Sequence, residues 1–271
     1  YGIYFNAPQG FGNLDIINCT VNAYYGIYLY DSGTRYNIGA INISNSQIIR
    51  SDDSNSGTTR YGINYSYVTM EGINLSDSTI SGFEIGIGND YGTKNTVTVS
   101  GHTVIQGTNR SSSRALSNVN LQLNGVKVIK ASKNYNGTLP EAYDESKITA
   151  YKYLEFDTAV AQIGSTYYKT LQDAIDAVKN GETIQLLSDL DLDAEVTIPG
   201  TNSYSFTLNL NGHKLESNGL GIIHNGTGKL TINGGGGKII VHSGSSIVVD
   251  AGSLTVNEVT IISNNYCGIS F

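Results

Sequence analysis

Leu14-Asp15-Ile16-Ile17-Asn18-Cys19-Thr20-Val21, Ile41-Asn42-Ile43-Ser44-Asn45-Ser46-Gln47-Ile48 and Ile73-Asn74-Leu75-Ser76-Asp77-Ser78-Thr79-Ile80 are three copies of one eight-residue signature, apolar at positions one, three and eight and usually Asn, Ser or Gly in between. Further copies run from Val97 to Val104, Leu121 to Val128, Leu208 to Leu215, from Leu230 through Gly234 to Gly237, and from Leu254 to Ile261. Several copies start 24 residues apart, as Ile73, Val97 and Leu121 do, and the longer spacings leave room for surface loops.

A second signature, Gly-Ile followed by a polar or aromatic residue, recurs at Gly2-Ile3-Tyr4-Phe5, Gly26-Ile27-Tyr28-Leu29, Gly62-Ile63-Asn64-Tyr65, Gly86-Ile87 and Gly268-Ile269-Ser270-Phe271. Alternation within each signature, as in Leu254-Thr255-Val256, turns one apolar row inward and one polar row outward with the two-residue period of a strand. Three short strands and three turns fill a coil of this length, and stacked coils pair each strand with its equivalent in parallel. The pattern predicts an all-β right-handed parallel β-helix, a solenoid. An antiparallel sandwich also alternates, but does not demand the same residue types at the same phase of a near-constant step. Position four, held by Ser44, Ser76, Ser100, Asn124, Asn211, Asn233 and Asn257 with Ile17 departing, is expected to form a polar ladder within a turn.

Composition supports this reading. Charged residues are 14% of the chain, Trp is absent, and Pro occurs three times among 271 residues, which favours strands and tight turns over helices. The net charge of −7 comes without basic runs, so nucleic acid is not expected as a partner. No apolar stretch approaches the roughly 20 residues that span a bilayer. Cys19 and Cys267 show no metal-ligand spacing and read as separate, mostly buried thiols.

The signature stops between Ile129 and Glu182. Within that gap, Leu171, Ala174, Ile175 and Val178 share one face of an amphipathic helix over 171–179, with Thr170 as its cap and Gly181 past its end. Placed just before the first coils that follow, it is expected to cover their open apolar end. The chain thus divides into the last coils of a first β-helix module (1–131), a linking and capping region (132–181) and the first coils of a second module (182–271). Val160-Ala161-Gln162-Ile163-Gly164, Tyr167 to Ile175, Thr183-Ile184-Gln185-Leu186-Leu187 and Leu208-Asn209-Leu210-Asn211-Gly212 resemble the start of pectate-lyase-like β-helix modules of bacterial cell-surface, adhesin-like proteins. The resemblance covers 160–271 well and 1–131 through the coil pattern alone. It implies the fold strongly and function weakly, since such modules serve as adhesins, filaments or stalks and as carbohydrate-active enzymes.

Catalytic residues are not evident. Asp52-Asp53 sits in Ser51-Asp52-Asp53-Ser54-Asn55-Ser56-Gly57, a composition typical of a solvated loop; His102 and His213, each after a Gly, share signature position six and read as structural. Asp189, Asp191 and Asp193 alternate, which places three carboxylates on one strand face at roughly 7 Å steps, a weak candidate for calcium. His224 and His242 lack zinc-ligand spacing. No cofactor is implied. The position-two row, Asp15, Asn42, Asn74, Thr98, Gln122, Asn209, Thr231 and Thr255, is not the regular Thr array that ice binding needs.

Tyrosine is abundant, 19 of 271 residues, and concentrates in the first module. Tyr4 and Tyr28 should point outward from adjacent coils; with Tyr30 and Tyr65 they are the candidate binding residues, for carbohydrate or a host surface protein. The expected function is a secreted or surface-displayed bacterial scaffold or adhesin segment, not an enzyme; the alternative is a polysaccharide lyase or glycoside hydrolase of the same fold. Tyr1 to Phe5 and Tyr266 to Phe271 sit at the same phase of the coil, so further coils, or copies stacking end to end, are expected beyond them.

Overall fold

A short strand that buries alternate residues still needs backbone partners on both edges, and a chain that returns to the same phase each coil takes them from its own neighbouring coils. The computed structural model, which describes residues 1–6, 12–30, 37–50, 59–66, 68–89 and 92–271, shows a parallel β-solenoid of about ten turns. It comprises two compact units, Tyr1–Thr158 and Ala159–Phe271. The stretch 132–181 is therefore divided between the units, each with its own closure.

In the first unit the Gly-Ile strands Ile3–Asn6, Ile27–Tyr30, Tyr61–Ser66, Ile85–Gly88 and Arg114–Ser117 form one parallel sheet. Ile3, Ile27, Ile63, Ile87 and Leu116 stand in one inward row. The glycines before them have a steric cause. A Cβ on Gly26 would lie 2.3 Å from the carbonyl oxygen of Gly62, and one on Gly62 would lie 2.6 Å from that of Gly86.

The eight-residue signature supplies two sheets. Leu14–Ile17, Asn37–Ser44, Thr69–Ser76, Asn95–Ser100 and Val119–Leu123 pair in parallel, as do Thr20–Asn22, Gln47–Ile49, Thr79–Ser81 and Thr103–Gln106. Between them the chain turns through the left-handed region at position five, with φ of 54° at Asn18, 48° at Asn45, 49° at Asp77 and 57° at Gly101, residue types that tolerate it.

In the first unit the turn ladder lies at position six, not at position four; in the second unit position four does carry one, Asn257 donating to Asn233 Oδ1 at 2.9 Å. The N–H of Cys19 donates to Ser46 Oγ (3.0 Å), that of Ser46 to Ser78 Oγ (3.1 Å) and that of Ser78 to Thr103 Oγ1 (3.4 Å), while the Ser46 and Ser78 hydroxyls donate to the carbonyls of Ser44 and Ser76 (2.7 Å each). A hydroxyl just past the left-handed residue faces the orphan N–H of the preceding coil, which is why small hydroxylated side chains sit there buried. Side-chain ladders do occur on the outward strand face: Asn74 donates to Asn42 (2.8 Å) and Asn42 to Asp15 (2.6 Å).

Two phases differ from the sequence expectation. Ile105, not Val104, continues the row of Ile80, because His102 is an extra residue in its turn. In the second unit Phe206 and Leu208 align with Leu230 and Ile232, so Asn209 rather than Asn211 joins Asn233 and Asn257; Asn211 is itself left-handed at φ 53°.

The first unit closes with antiparallel strands. Lys127–Ser132, which includes the expected parallel Val128, pairs antiparallel with Tyr153–Asp157, and that strand in turn pairs antiparallel with Thr103–Gln106. A reversed strand on the last edge ends parallel addition, and Tyr151, Leu154 and Phe156 are buried there in the end of the core. In the second unit the hairpin Ala161–Ile163/Thr166–Tyr168 lies antiparallel on Thr183–Leu186. Helix α1 (Leu171–Ala177) packs Leu171, Ala174 and Ile175 into the core; Thr170 Oγ1 caps it by accepting from the Asp173 N–H at 3.0 Å. The helix is two residues shorter than expected, because Val178 is already extended (φ −65°, ψ 142°). From there Thr183–Leu186, Phe206–Asn209, Lys229–Asn233 and Ser253–Asn257 build one sheet. Leu190–Leu192, Lys214–Ser217, Lys238–Val241 and Thr260–Ser263 build the next, and Val196–Ile198, Ile222–His224, Ile247–Val249 and Ile269–Ser270 the third, all parallel.

Cys19 and Cys267 are free and exposed, not mostly buried as expected. Cys19 sits in the turn after the left-handed Asn18, and its thiol donates to the Ile17 carbonyl (3.1 Å). Among the described residues no helix is long and apolar enough to cross a membrane.

Candidate functional site: a tyrosine face and a charged cleft

On the Gly-Ile sheet of the first unit, Tyr4 and Tyr28 are in register and point outward. Their rings stack at a centroid distance of 5.9 Å and an interplanar angle of 18°. Tyr30 stacks on Tyr28 (6.4 Å, 19°), Tyr1 on Tyr25 (5.1 Å, 23°), and Tyr1 also meets Tyr4 at 4.9 Å. Tyr1, Tyr4 and Tyr30 are exposed and Tyr25 and Tyr28 half-buried.

Tyr65 does not belong to this face. It pairs in register with Leu29, is fully buried in the core, and donates its hydroxyl to the Asn118 carbonyl at 3.1 Å. Burial pushes its phenol well above the ordinary range. The row of Tyr4 and Tyr28 continues instead as Asn64, and that of Tyr30 as Ser66. Those two are buried and satisfy each other, Asn64 Oδ1 accepting from the Ser66 N–H (3.0 Å) and hydroxyl (2.8 Å). The aromatic row is thus two coils deep.

Behind the face lies an ionic cluster that no sequence motif announced. Glu84, buried, accepts from Arg60 (Oε1–Nη1 3.3 Å; Oε2–backbone N 3.2 Å), and Arg110 and Arg50 approach it at 3.0 and 3.8 Å. The Arg60 guanidinium carbon is 3.8 Å from the Tyr24 ring centroid, and Tyr24 meets Tyr25 edge-on at 5.2 Å. Burial, with Tyr1 and Glu84 nearby, raises the Tyr25 phenol. Residues spread over 61 positions of sequence, Arg50 to Arg110, meet because successive coils stack the same turn, and the cluster buttresses the inner edge of the tyrosine face.

In the second unit the alternating aspartates do not converge. The Lys214 N–H donates to Asp189 (3.0 Å) and lowers its carboxyl, with His213 Nδ1 at 3.4 Å; Asp191 lies 3.4 Å from Lys214 Nζ; Asp193 is exposed. Among the described residues no group of three or more His, Cys, Asp or Glu is placed to hold a metal ion. Lys214 also binds Glu216, whose other oxygen accepts from His242 Nε2 at 2.6 Å, and Asn264 meets His242 Nδ1 at 3.0 Å. Asp191, Leu192, Glu216, Ser217 and Asn218 line a shallow cleft of about 250 Å³. Lys214, then His242, hold Glu216 below the ordinary carboxylate range, and Glu216 holds Lys214 above the ordinary amine range. A general acid needs a raised carboxyl and a lysine base a lowered amine, so the shifts of Glu216 and Lys214 suit neither of those two roles.

The other two histidines make hydrogen bonds within the first and second units. His102 Nδ1 meets Asp157 Oδ2 at 2.9 Å, tying a turn to the closing strand, and buried His224 stands in the inward row of Ile198 and Val249 with Nε2 3.1 Å from the Gly228 carbonyl. Asp52 and Asp53 lie outside the described residues. In comparisons with known proteins, no family model, no curated protein and no solved structure matches this chain.

Proposed function

We propose that this chain is a segment of an extracellular, pectate-lyase-like surface scaffold or adhesin of a bacterium, whose first unit binds a partner protein through the face of Tyr1, Tyr4, Tyr25, Tyr28 and Tyr30. The observation that carries this reading is the mutual packing of five tyrosines, Tyr4, Tyr28 and Tyr30 on an outward sheet face and Tyr1 and Tyr25 just before its strands, backed by Arg60 and Glu84. Tyrosine gives a large amphipathic contact at a small entropy cost, and rings held by one another are pre-organised, as in protein-binding paratopes. Rings packed against one another leave less open ring face for a sugar to stack on, which favours a protein surface. The test probes the purified chain against immobilised extracellular-matrix proteins and a glycan array. Saturable protein binding that falls with Tyr28→Ser supports the proposal; binding confined to glycans, or unaffected by Tyr28→Ser, refutes it.

A second reading, a carbohydrate-active enzyme, draws on one observation, the pairing of Asp191 and Glu216 in one cleft beside Lys214 and His242. Polysaccharide cleavage abolished by Glu216→Gln would establish it in place of the scaffold reading.

A further inference from the structure

We propose that Tyr4 and Tyr28 are a site of oxidative cross-linking, at which a carbon–carbon bond joins two adjacent coils of the first unit. Strands Ile3–Asn6 and Ile27–Tyr30 hold the two residues directly opposite each other in parallel register. Their outward rings are 5.9 Å apart and nearly parallel. A biaryl bond joins the rings edge to edge with their centres closer than this, so the stacked rings must turn about their side-chain torsions, a movement for which the exposed position of Tyr4 leaves room. Tyr1 contacts both rings, at 4.9 and 5.3 Å, so a radical formed on any of the three phenols can pass among them.

The chemistry balances with a one-electron oxidant of the peroxidase class. The oxidant takes one electron from each phenol, and each hydroxyl releases its proton to water. The two phenoxyl radicals carry spin on the ring carbons beside the oxygen, and those carbons pair to form the bond. The hydrogen on each bonded carbon then moves to the oxygen of the same ring, restoring both phenols. Two electrons and two protons leave in total, and the oxidant is reduced by two electrons. The row cannot extend the link further, because the next coil places Asn64 opposite Tyr28. The product is a single bond that closes the segment between two coils, as a disulfide would.

The experiment treats the whole chain with peroxidase and hydrogen peroxide, then with a protease that cuts before aspartate. Cleavage before Asp15 and Asp31 separates Tyr4, in peptide 1–14, from Tyr28, in peptide 15–30. The expected result is a monomer with dityrosine fluorescence, the two peptides linked at a mass lower by two hydrogen atoms, and fragment ions placing the bond at Tyr4 and Tyr28. Tyr4→Phe and Tyr28→Phe, which keep the ring packing and the circular dichroism of the parent, should each abolish that linked peptide. The proposal is overturned if the link persists in either Phe variant, if dityrosine forms only between molecules, or if the rings are oxidised without coupling.

Discussion

Tyr65 stands in register with Leu29, one position away from the row that carries Tyr28, and its ring enters the core while Tyr28 faces solvent. That offset fixes the effect of substitution. Tyr65→Ala empties a large buried volume and should cost about 3–5 kcal/mol, whereas Tyr65→Phe loses the bond to the Asn118 carbonyl and should cost about 1 kcal/mol. Urea unfolding measures both, and partner binding by the Phe variant should be unchanged. A neutral Tyr65→Ala would contradict the assignment.

Alkaline pH should unfold the first unit through its covered phenols. Burial raises Tyr65 and Tyr153, and burial followed by the neighbouring Glu145 pushes Tyr143 up to about 12 from its ordinary 10.0. A raised folded value favours the neutral phenol, so its contribution is fully present below the unfolded value near 10 and is lost as pH climbs through the folded value. Phenolate absorbance should therefore develop in an early and a late component, the late one shrinking in Tyr143→Phe and coinciding with loss of β circular dichroism. A single early step for all 19 tyrosines would contradict this.

Glu84→Ala removes a buried carboxylate that Arg50, Arg60 and Arg110 share. Leaving guanidinium groups buried without it should cost about 3–5 kcal/mol. Because Arg60 lies on Tyr24, tyrosine fluorescence anisotropy of the folded variant should also fall. An unchanged melting temperature would show the cluster to be energetically idle.

Gly62→Ala places a Cβ 2.4 Å from Ile80 Cγ2 and 2.6 Å from the Gly86 carbonyl oxygen, contacts that force adjacent coils apart. The expected loss is about 1–3 kcal/mol or more, against a smaller one for Gly219→Ala, where no heavy atom lies within 4 Å and φ is not left-handed. Thermal unfolding of the two variants side by side decides the matter.

The coil was legible because its causes are local and repeated. The Gly-Ile phase, the inward isoleucines and the capped helix at Thr170 each follow from spacing alone. Alternation also contained the placement of Tyr65: counted from inward Ile63, it is an inward position, and Asn64 is the outward one. What spacing could not give are features made by stacking or reversal. One extra residue at His102 moves the row from Val104 to Ile105, the closing strand Tyr153–Asp157 has no partner of its own kind, and Glu84 meets its arginines only once coils lie on one another. In the first unit the position of the turn ladder was missed because Ser44 and Ser46 are equally polar in sequence, and only the left-handed residue between them decides which faces the preceding coil.

The central claim is that recognition resides on the tyrosine face. The direct measurement is the dissociation constant for a matrix-protein ligand, determined for the parent chain, for Tyr4→Ser/Tyr28→Ser/Tyr30→Ser, and for Tyr204→Ser/Tyr266→Ser, which removes two exposed tyrosines of the second unit. Anchors of this type contribute about 2 kcal/mol or more each, so the first variant should bind at least about 30-fold more weakly while the second binds as the parent does. Equal affinities for all three proteins, or a loss confined to Tyr204→Ser/Tyr266→Ser, would contradict the account.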